Sequence, residues 1–237
     1  MAWASKPATP KKQLKPRAEA GTAKRILDTA IALFNHHGVQ NVAVSEIAAQ
    51  LEISPGNLTY HYRRKEDLVL AAFDALMQQL KLALQSPPAV LSAQRSAENL
   101  QRTLQLLWDY RFFYNAITYL LTNNRQLMQE FAEARVWVLD ALTGDLQRLT
   151  EHKLFRAVRP PNSHALLAAN IWALLLDWLR LAHIEAPTQA VPSGSSLHRA
   201  AMSLWSLCEP WMEPVFAQAL LEEFDALQNP RPARARS

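Results

Sequence analysis

The sequence predicts an all-α protein. Glycine makes up only 5 of the 237 residues, and this scarcity disfavours both glycine-rich phosphate loops and β-architectures with many tight turns. Leucine occurs 37 times, against 17 for valine and isoleucine together, a balance that favours helices over strands. The 14 prolines cluster between long proline-free stretches, where they separate helices rather than interrupt them.

The N-terminal third contains the most distinctive local pattern. Residues 1–20 are rich in Pro, Lys and Ala and are expected to form a disordered basic arm. An amphipathic helix is predicted to follow, with Thr22 as its N-cap and Gly38 at its exit. A short helix over 45–51 and a second beginning at Ser54-Pro55 are then joined by a three-residue turn. Residues 21–66 are therefore predicted to be a helix-turn-helix unit.

The rest of the chain is predicted to be a helical body over residues 67–228. Apolar spacing places one helix from about residue 65 to the prolines at 87–88, and long helical spans over 93–121, 126–152 and 163–184. Two shorter helices are expected over 197–208 and 214–227, since Pro210 and Pro214 disfavour helix in the residues before them. Residues 229–237 form a basic tail.

The charge of the chain is distributed unevenly. Residues 1–65 hold ten Lys/Arg against four Asp/Glu, a net charge of +6, whereas residues 66–227 hold twelve against seventeen, a net charge of −5. Three arginines make the tail +3. A basic end on an acidic body is typical of a protein that binds a polyanion at that end, although a solvated tail would give the same count.

Several other classes of protein are disfavoured. The single cysteine, Cys208, excludes an internal disulfide framework and a multi-cysteine zinc site and suits a reducing compartment. The most apolar window, 165–182, contains Asn170, Asp177 and Arg180, so it is expected to be a buried interface helix and not a membrane span. No Glu-x-x-His pair or glycine-rich nucleotide motif occurs. We therefore expect a cytoplasmic protein that is not an enzyme and has no metal, cofactor or membrane partner.

An ordered set of residues in 22–68 carries a family resemblance. It comprises Ile26 to Ala30, Leu33-Phe34, Gly38, Ser45 to Ala48, and Ile53 to Tyr62 followed by Lys65 and Leu68. This set resembles the TetR family of bacterial transcriptional repressors, and residues 108–114 are similar to one of its subgroups. The chain departs from the family where Glu52 replaces a common Gly, Thr59 a common Tyr and Ala43 a common Ser or Thr cap. Asn41 or Ser45 is expected to supply that cap.

The second short helix is predicted to read DNA. Small or polar residues at its start allow close approach to a groove, and an Asn side chain can pair with adenine. The resemblance implies DNA contacts at six positions that match the family, namely Ser45, Asn57, Thr59, Tyr60, His61 and Lys65. Together these considerations select Ser45, Pro55, Gly56, Asn57, Thr59, Tyr60, His61 and Lys65. Tyr62 is expected either in the core or at the DNA, and a double-stranded, palindromic operator is the implied partner.

The body is expected to bind a small, largely apolar inducer and to form a homodimer. An aromatic region with a few polar groups is typical of a ligand pocket between helices, and it comprises Trp108, Arg111, Phe112, Phe113, Asn115, Tyr119 and Trp137. Arg111 either meets an anionic ligand group or extends its head to solvent. Stripes of Leu and Trp on two late helices predict the dimer interface, through Leu167, Ile171, Leu174, Trp178 and Trp205, although the buried core of a monomer would give the same stripes.

Two other functions remain open at this point. A helix-turn-helix protein without an inducer would keep the DNA interface but use the body to localise a protein partner. A helical protein-interaction domain would need neither a DNA interface nor an inducer, and its basic terminus would have no role in binding. Salt-sensitive DNA binding separates the first two functions from the third, and ligand-dependent loss of DNA binding separates an inducible regulator from the helix-turn-helix protein without an inducer.

Overall fold

A computed structural model describes residues 17–84 and 91–227, with side chains from residue 21 onward. All regular secondary structure in these ranges is helical apart from one isolated β-bridge between Phe155 and Met212. The predicted all-α class is confirmed. The basic tail and residues 1–16 of the expected arm lie outside the described residues, whereas residues 17–20, which were also expected to be disordered, are helical.

The first three helices form the predicted helix-turn-helix unit: α1 (Arg17–His37), α2 (Val44–Gln50) and α3 (Pro55–His61). Helix α1 begins five residues before Thr22, so Thr22 lies inside the helix and is not its N-cap. Gly38 ends α1 with φ of 80°, a backbone conformation that glycine adopts without steric cost.

The cap of α2 also differs from the expectation. Ala43 is its N-cap residue and supplies no side-chain hydrogen bond. The amide of Asn41 instead donates to the carbonyl of His37 at 2.8 Å, and Ser45 lies within the helix. Neither candidate replaces the missing cap.

Helix α4 (Lys65–Leu84) follows and leads into the body. The single helix predicted over 93–121 is in fact three: α5 (Ala93–Asp109), α6 (Arg111–Asn115) and α7 (Ile117–Asn123). At the first break Tyr110 has φ −113° and ψ 24°, outside the helical range. The carbonyl of Trp108 there accepts a hydrogen bond from Nη1 of Arg111 at 3.0 Å, so a side chain satisfies a group that a continuous helix would bond.

The last helices agree with the predicted spans to within a few residues. They are α8 (Arg125–Glu151), α9 (His164–Glu185), α10 (Gly194–Cys208) and α11 (Pro214–Ala226), with a 3₁₀ turn (Glu209–Trp211) before α11. The predicted break near Pro210 and Pro214 is confirmed.

Helix α9 lies at the centre of the body, in contact with α5, α6, α8 and α10. It is the one described helix that is long and apolar enough to cross a membrane, a test that core helices of soluble proteins also pass. Only 39% of its most apolar window is buried within the subunit. The exposed residues of α9 include Leu166, Leu181 and Ile184.

Candidate DNA-binding and ligand-binding sites

The helix-turn-helix unit is held by a small apolar core. Helices α2 and α3 bury Ile47, Ala48 and Leu58, which belong to the same cluster as Ile26 and Phe34 of α1. The turn between α2 and α3 places Glu52 in the left-handed region, with φ of 55°. Glycine adopts this conformation more readily than a residue with a Cβ atom, so this turn carries some backbone strain.

Helix α3 exposes most of its side chains. Ser54 caps it by accepting a hydrogen bond from the backbone N–H of Asn57 at 3.2 Å, and Pro55 occupies its first position. Leu58 is its one buried residue. The helix is thus anchored by one side chain and directs its polar surface outward.

The predicted DNA contacts lie on this exposed surface, with two exceptions. Six of them are exposed: Ser45, Pro55, Gly56, Asn57, Thr59 and Tyr60. The side chain of His61 is half-buried, and its Nδ1 is buried without a hydrogen-bond partner. Tyr62 packs against the core and donates from its hydroxyl to the carbonyl of Ala23 at 3.3 Å.

Lys65 is the second exception. Its half-buried ammonium group donates to the carbonyls of Val39, Gln40 and Val42 at 2.8, 3.3 and 3.1 Å. All three N–H groups therefore have partners in the α1–α2 loop. Lys65 fixes that loop to the start of α4, a structural role that the sequence pattern does not reveal.

Arg63 and Arg64 keep the positive charge at the surface beside α3. Both side chains are exposed, and Arg64 forms one long ion pair with Asp67 at 3.8 Å. Exposed pairs of this kind contribute little to stability, so both guanidinium groups remain available to an approaching anion.

The residues of the predicted ligand pocket differ widely in burial. Trp108, Phe112 and Phe113 are buried in the core, and the ring of Phe113 is stacked on Phe73 with centroids 5.0 Å apart. Asn115 and Tyr119 are exposed. Trp137 is half-buried, and its ring centroid lies 5.6 Å from the ammonium nitrogen of Lys81.

Arg111 is only 6% exposed, so its head does not extend to solvent. It lies 4.6 Å from the ring centroid of Trp108. Burial lowers the pKa of its guanidinium, while the charge of Asp109 opposes this effect.

A different cavity opens between α4 and α5. Its volume is about 610 Å³, and it is lined by Gln79, Leu82, Ala83, Glu98, Gln101, Arg102, Gln105, Leu106 and Asp109. The lining is polar and amphipathic rather than aromatic. Burial raises the pKa of Asp109, a shift that is opposed by the hydrogen bond from Gln105 and by the charge of Arg111.

Two of the five predicted interface residues, Leu167 and Trp178, are buried within the chain, and the other three are half-buried. The indole N–H of Trp178 donates to the carbonyl and hydroxyl of Ser196 at 2.9 and 3.0 Å, and that of Trp205 donates to the carbonyl of Ala217 at 3.3 Å. Leu167 is buried, while Ile171 and Leu174 are half-buried. The exposed stripe of α9 lies beside them and comprises Leu166, Asn170, Ala173, Asp177, Leu181 and Ile184.

Asn35 connects the DNA-binding unit to the body, and no sequence pattern singles it out. Its Oδ1 accepts from the backbone N–H of Phe112 at 2.9 Å, and its Nδ2 donates to the carbonyl of Asp109 at 2.7 Å. The rings of Phe34 and Phe112 lie 5.2 Å apart at the same contact. A helix-interior Asn near the C-terminus of α1 looks like an ordinary surface residue in the sequence.

Comparisons with known proteins agree with this architecture. The sequence profile described as "Bacterial transcriptional repressor" matches residues 61–220, and that of "Bacterial regulatory proteins, tetR family" matches residues 26–72. The probable HTH-type transcriptional regulator YttP of Bacillus subtilis is 21% identical over 145 residues, which cover 56% of this chain and 69% of that protein.

Two solved structures share the fold. A TetR-family regulator from Marinobacter aquaeolei VT8 is 24% identical, with a TM-score of 0.76 over 87% of this chain and 98% of that one. A putative transcriptional regulator from Saccharomonospora viridis, solved in complex with choline, is 20% identical, with a TM-score of 0.66 over 82% and 99% of the two chains.

Proposed function

This chain belongs to the TetR family of bacterial transcriptional regulators, and on that premise we propose that it is a cytoplasmic, homodimeric repressor that releases its operator when a small molecule binds the body. The observation that carries the DNA-binding part is α3, which fully buries only Leu58 and exposes every residue from Pro55 to Tyr60 except Leu58. Recognition helices of this motif enter the major groove with their N-terminal residues against base edges.

Asn57 is the proposed base-reading residue. It follows Pro55 and Gly56, which keep the start of α3 narrow, and its exposed amide can pair with adenine. Thr59 contributes mainly its methyl group, since its hydroxyl donates to the carbonyl of Gly56 at 3.2 Å. Arg63 and Arg64 supply phosphate contacts that do not depend on sequence.

The exposed stripe of α9 is the proposed dimer surface. Leu166, Leu181 and Ile184 are 47%, 48% and 68% exposed, with the polar residues Asn170 and Asp177 between them. Exposed leucine and isoleucine on one side of a helix are typical of a surface that a second copy covers. A two-fold dimer presents two α3 helices to the two halves of a palindromic operator. Trp178 and Trp205 instead bond within the chain, to Ser196 and Ala217.

Ligand control is proposed to act through the contact between α1 and the start of α6. The Saccharomonospora viridis relative binds choline, which supports a small-molecule ligand in a body of this fold. Because Asn35 bonds both sides of the break between α5 and α6, a ligand that moves α6 would also move α1. The two α3 helices of a dimer would then no longer match the operator spacing.

One observation favours the second candidate, a helix-turn-helix protein without an inducer. The predicted pocket aromatics pack against one another, and Phe113 is only 1% exposed. An inducer at that position would have to displace a filled core, whereas a protein partner on the body would not.

Selection of bound sequences from random double-stranded DNA tests the proposal. We expect a palindromic consensus whose affinity falls steeply with salt. Small molecules are then screened for release of the protein from that DNA. A consensus without two-fold symmetry contradicts the dimeric repressor, and the absence of any releasing ligand favours the second candidate.

A further inference from the structure

Arg111 is a buried cation on which the negative charge of Asp109 acts without forming an ion pair. No described carboxylate forms an ion pair with it, and its Nε is buried without any hydrogen-bond partner. A buried charge with an unsatisfied donor is costly unless another group completes it. The group that is missing must be an acceptor, because guanidinium only donates.

The carbonyl oxygen of Gln189 marks where that acceptor would lie. It accepts from Nη2 of Arg111 at 3.2 Å and from the indole N–H of Trp108 at 3.3 Å. Both distances are long compared with roughly 2.7–2.9 Å for a charge-assisted bond to an anion. Nε and Nη2 donate from the same edge of the guanidinium group. The carbonyl oxygen of Gln189 bonds only to Nη2, so the N–H of Nε is left without an acceptor.

His183 adds a second unsatisfied nitrogen to this region. Its Nδ1 is buried without a partner. Burial lowers the pKa of His183, and the positive charge of Arg111 lowers it further. Nδ1 of His183 and Nε of Arg111 are thus two buried nitrogens without partners, and a ligand with more than one oxygen atom can bond to both.

We propose that Arg111, Trp108 and His183 form a binding site for the carboxylate of a small organic acid, covered by the segment 186–192. The carboxylate replaces the Gln189 carbonyl, with one oxygen accepting from Nη2 of Arg111 and the indole and the other from Nε. A planar carboxylate matches this two-donor edge. The segment that must move is a short connection without helix between α9 and α10, and residues 187–191 are exposed.

The site lies next to the contact that joins the body to the DNA-binding unit. Asp109 and Phe112, the residues on either side of this break in the helix, bond Asn35, and Nη1 of Arg111 bonds the carbonyl of Trp108. Occupation of the site thus displaces α6 relative to α1 and lowers operator affinity, a consequence that rests on the proposed repressor function.

Titration of the full-length protein, labelled with ¹⁵N at its seven tryptophans, tests the site without DNA. The probes are benzoate and hexanoate, with benzamide and hexanamide as neutral counterparts. We expect the two acids to shift the indole N–H signal of Trp108, assigned with Trp108→Phe, while the amides do not. Equal shifts by acids and amides, or no shift of that signal by either acid, overturn the proposal.

Variants separate this site from the cavity between α4 and α5, whose described lining includes Arg102. We expect Arg111→Met to weaken benzoate binding at least about tenfold, because it removes charge-assisted bonds. Arg111→Lys keeps the positive charge but lacks the two-donor edge, so it is also expected to weaken benzoate binding. This variant provides the test if Arg111→Met does not fold. Arg102→Met should bind benzoate as the wild type does. Unchanged binding in both Arg111 variants, or loss in Arg102→Met alone, overturns the proposal.

The same titration keeps the two proposals apart. If benzoate binds but the protein selects no DNA sequence, the repressor function fails and the carboxylate site stands. If a palindromic consensus is selected but neither acid binds, the carboxylate site fails and the repressor function stands.

Discussion

The side-chain amide of Asn35 accepts a hydrogen bond from the backbone N–H of Phe112 at 2.9 Å, which ties the C-terminal part of α1 to the first turn of α6. The same amide donates to the carbonyl of Asp109. Both backbone groups lie at the break between α5 and α6, where no continuous helix can satisfy them. One side chain of the DNA-binding unit therefore stabilises the irregular backbone of the body.

Asn35→Ala is expected to lower the free energy of unfolding by about 1–3 kcal/mol, since it leaves two backbone groups without partners. Chemical denaturation measures this change. Asn41→Ala is the matched control, because it removes one exposed hydrogen bond to His37 and is expected to cost less. Equal stability of Asn35→Ala and the wild type would show that the connection contributes nothing.

Glu52→Gly is expected to stabilise the protein by about 0.5–1 kcal/mol, because glycine relieves the left-handed conformation at this turn. The φ of 55° at Glu52 is the geometry on which the expectation rests. Chemical denaturation again provides the measurement, with Glu46→Gly in the helical α2 as a control that should destabilise. A destabilised Glu52→Gly protein would mean that the Glu side chain compensates for the strain.

The sequence predicts the helices well because their signals are local. Apolar spacing and the Ser54-Pro55 start specify α3, and the Glu52 turn follows from the family's usual glycine. The break at Tyr110 is not predictable from local signals. The backbone groups that it leaves free are bonded by the side chain of Asn35, which lies 74 residues from Asp109 in the sequence, and by the guanidinium group of Arg111. The DNA-contact residues remain predictions: six of the eight are exposed, which is compatible with that role, whereas His61 and Lys65 are half-buried.

The sequence also does not predict which face of α9 is buried and which is exposed. This helix is apolar on nearly all sides, so its residues give no periodic distinction between the core and a second interface. Trp178 has an N–H that needs a partner when it is buried, and Ser196 supplies one within the subunit. The large aromatic residues therefore point inward, and the smaller stripe beside them is left exposed.

Asn57→Ala is expected to weaken binding to the selected operator by roughly 1–3 kcal/mol and to relax preference at one base position. Thermal stability should not change, since the side chain is exposed. Binding is measured to the consensus and to single-base variants of it. Unchanged affinity and base preference would contradict the placement of α3 in the groove.

Lys65→Ala is expected to reduce both stability and DNA affinity. The loss of three hydrogen bonds to the α1–α2 loop should cost at least about 1–3 kcal/mol, because bonds to charged groups are the stronger ones. Weaker binding to all DNA sequences should follow as the loop loosens. Arg64→Ala, which removes an exposed charge, should weaken DNA binding without loss of stability. If Lys65→Ala has normal stability, the three hydrogen bonds are not important, and Lys65 acts as the phosphate contact that the sequence predicts.

Leu181→Arg is expected to produce a folded monomer. Leu181 is 48% exposed on the stripe of α9, so the new charge remains solvated in the separate subunit but would be buried without a partner in the proposed dimer. A monomer holds only one half-site, and its operator affinity should fall by orders of magnitude because the two contacts are no longer linked. Analytical ultracentrifugation and operator binding are measured on the same preparations.

Two further variants make this last test specific. Trp178→Arg places a charge in the subunit core and is expected to unfold the protein, since the indole is 6% exposed and bonded to Ser196. Leu82→Arg changes a 77% exposed leucine on α4, far in the chain from α9, and should leave both the dimer and operator binding intact. If Leu181→Arg stays dimeric while Trp178→Arg folds as a monomer, the interface is formed by the inward stripe instead, and α9 must rotate on association.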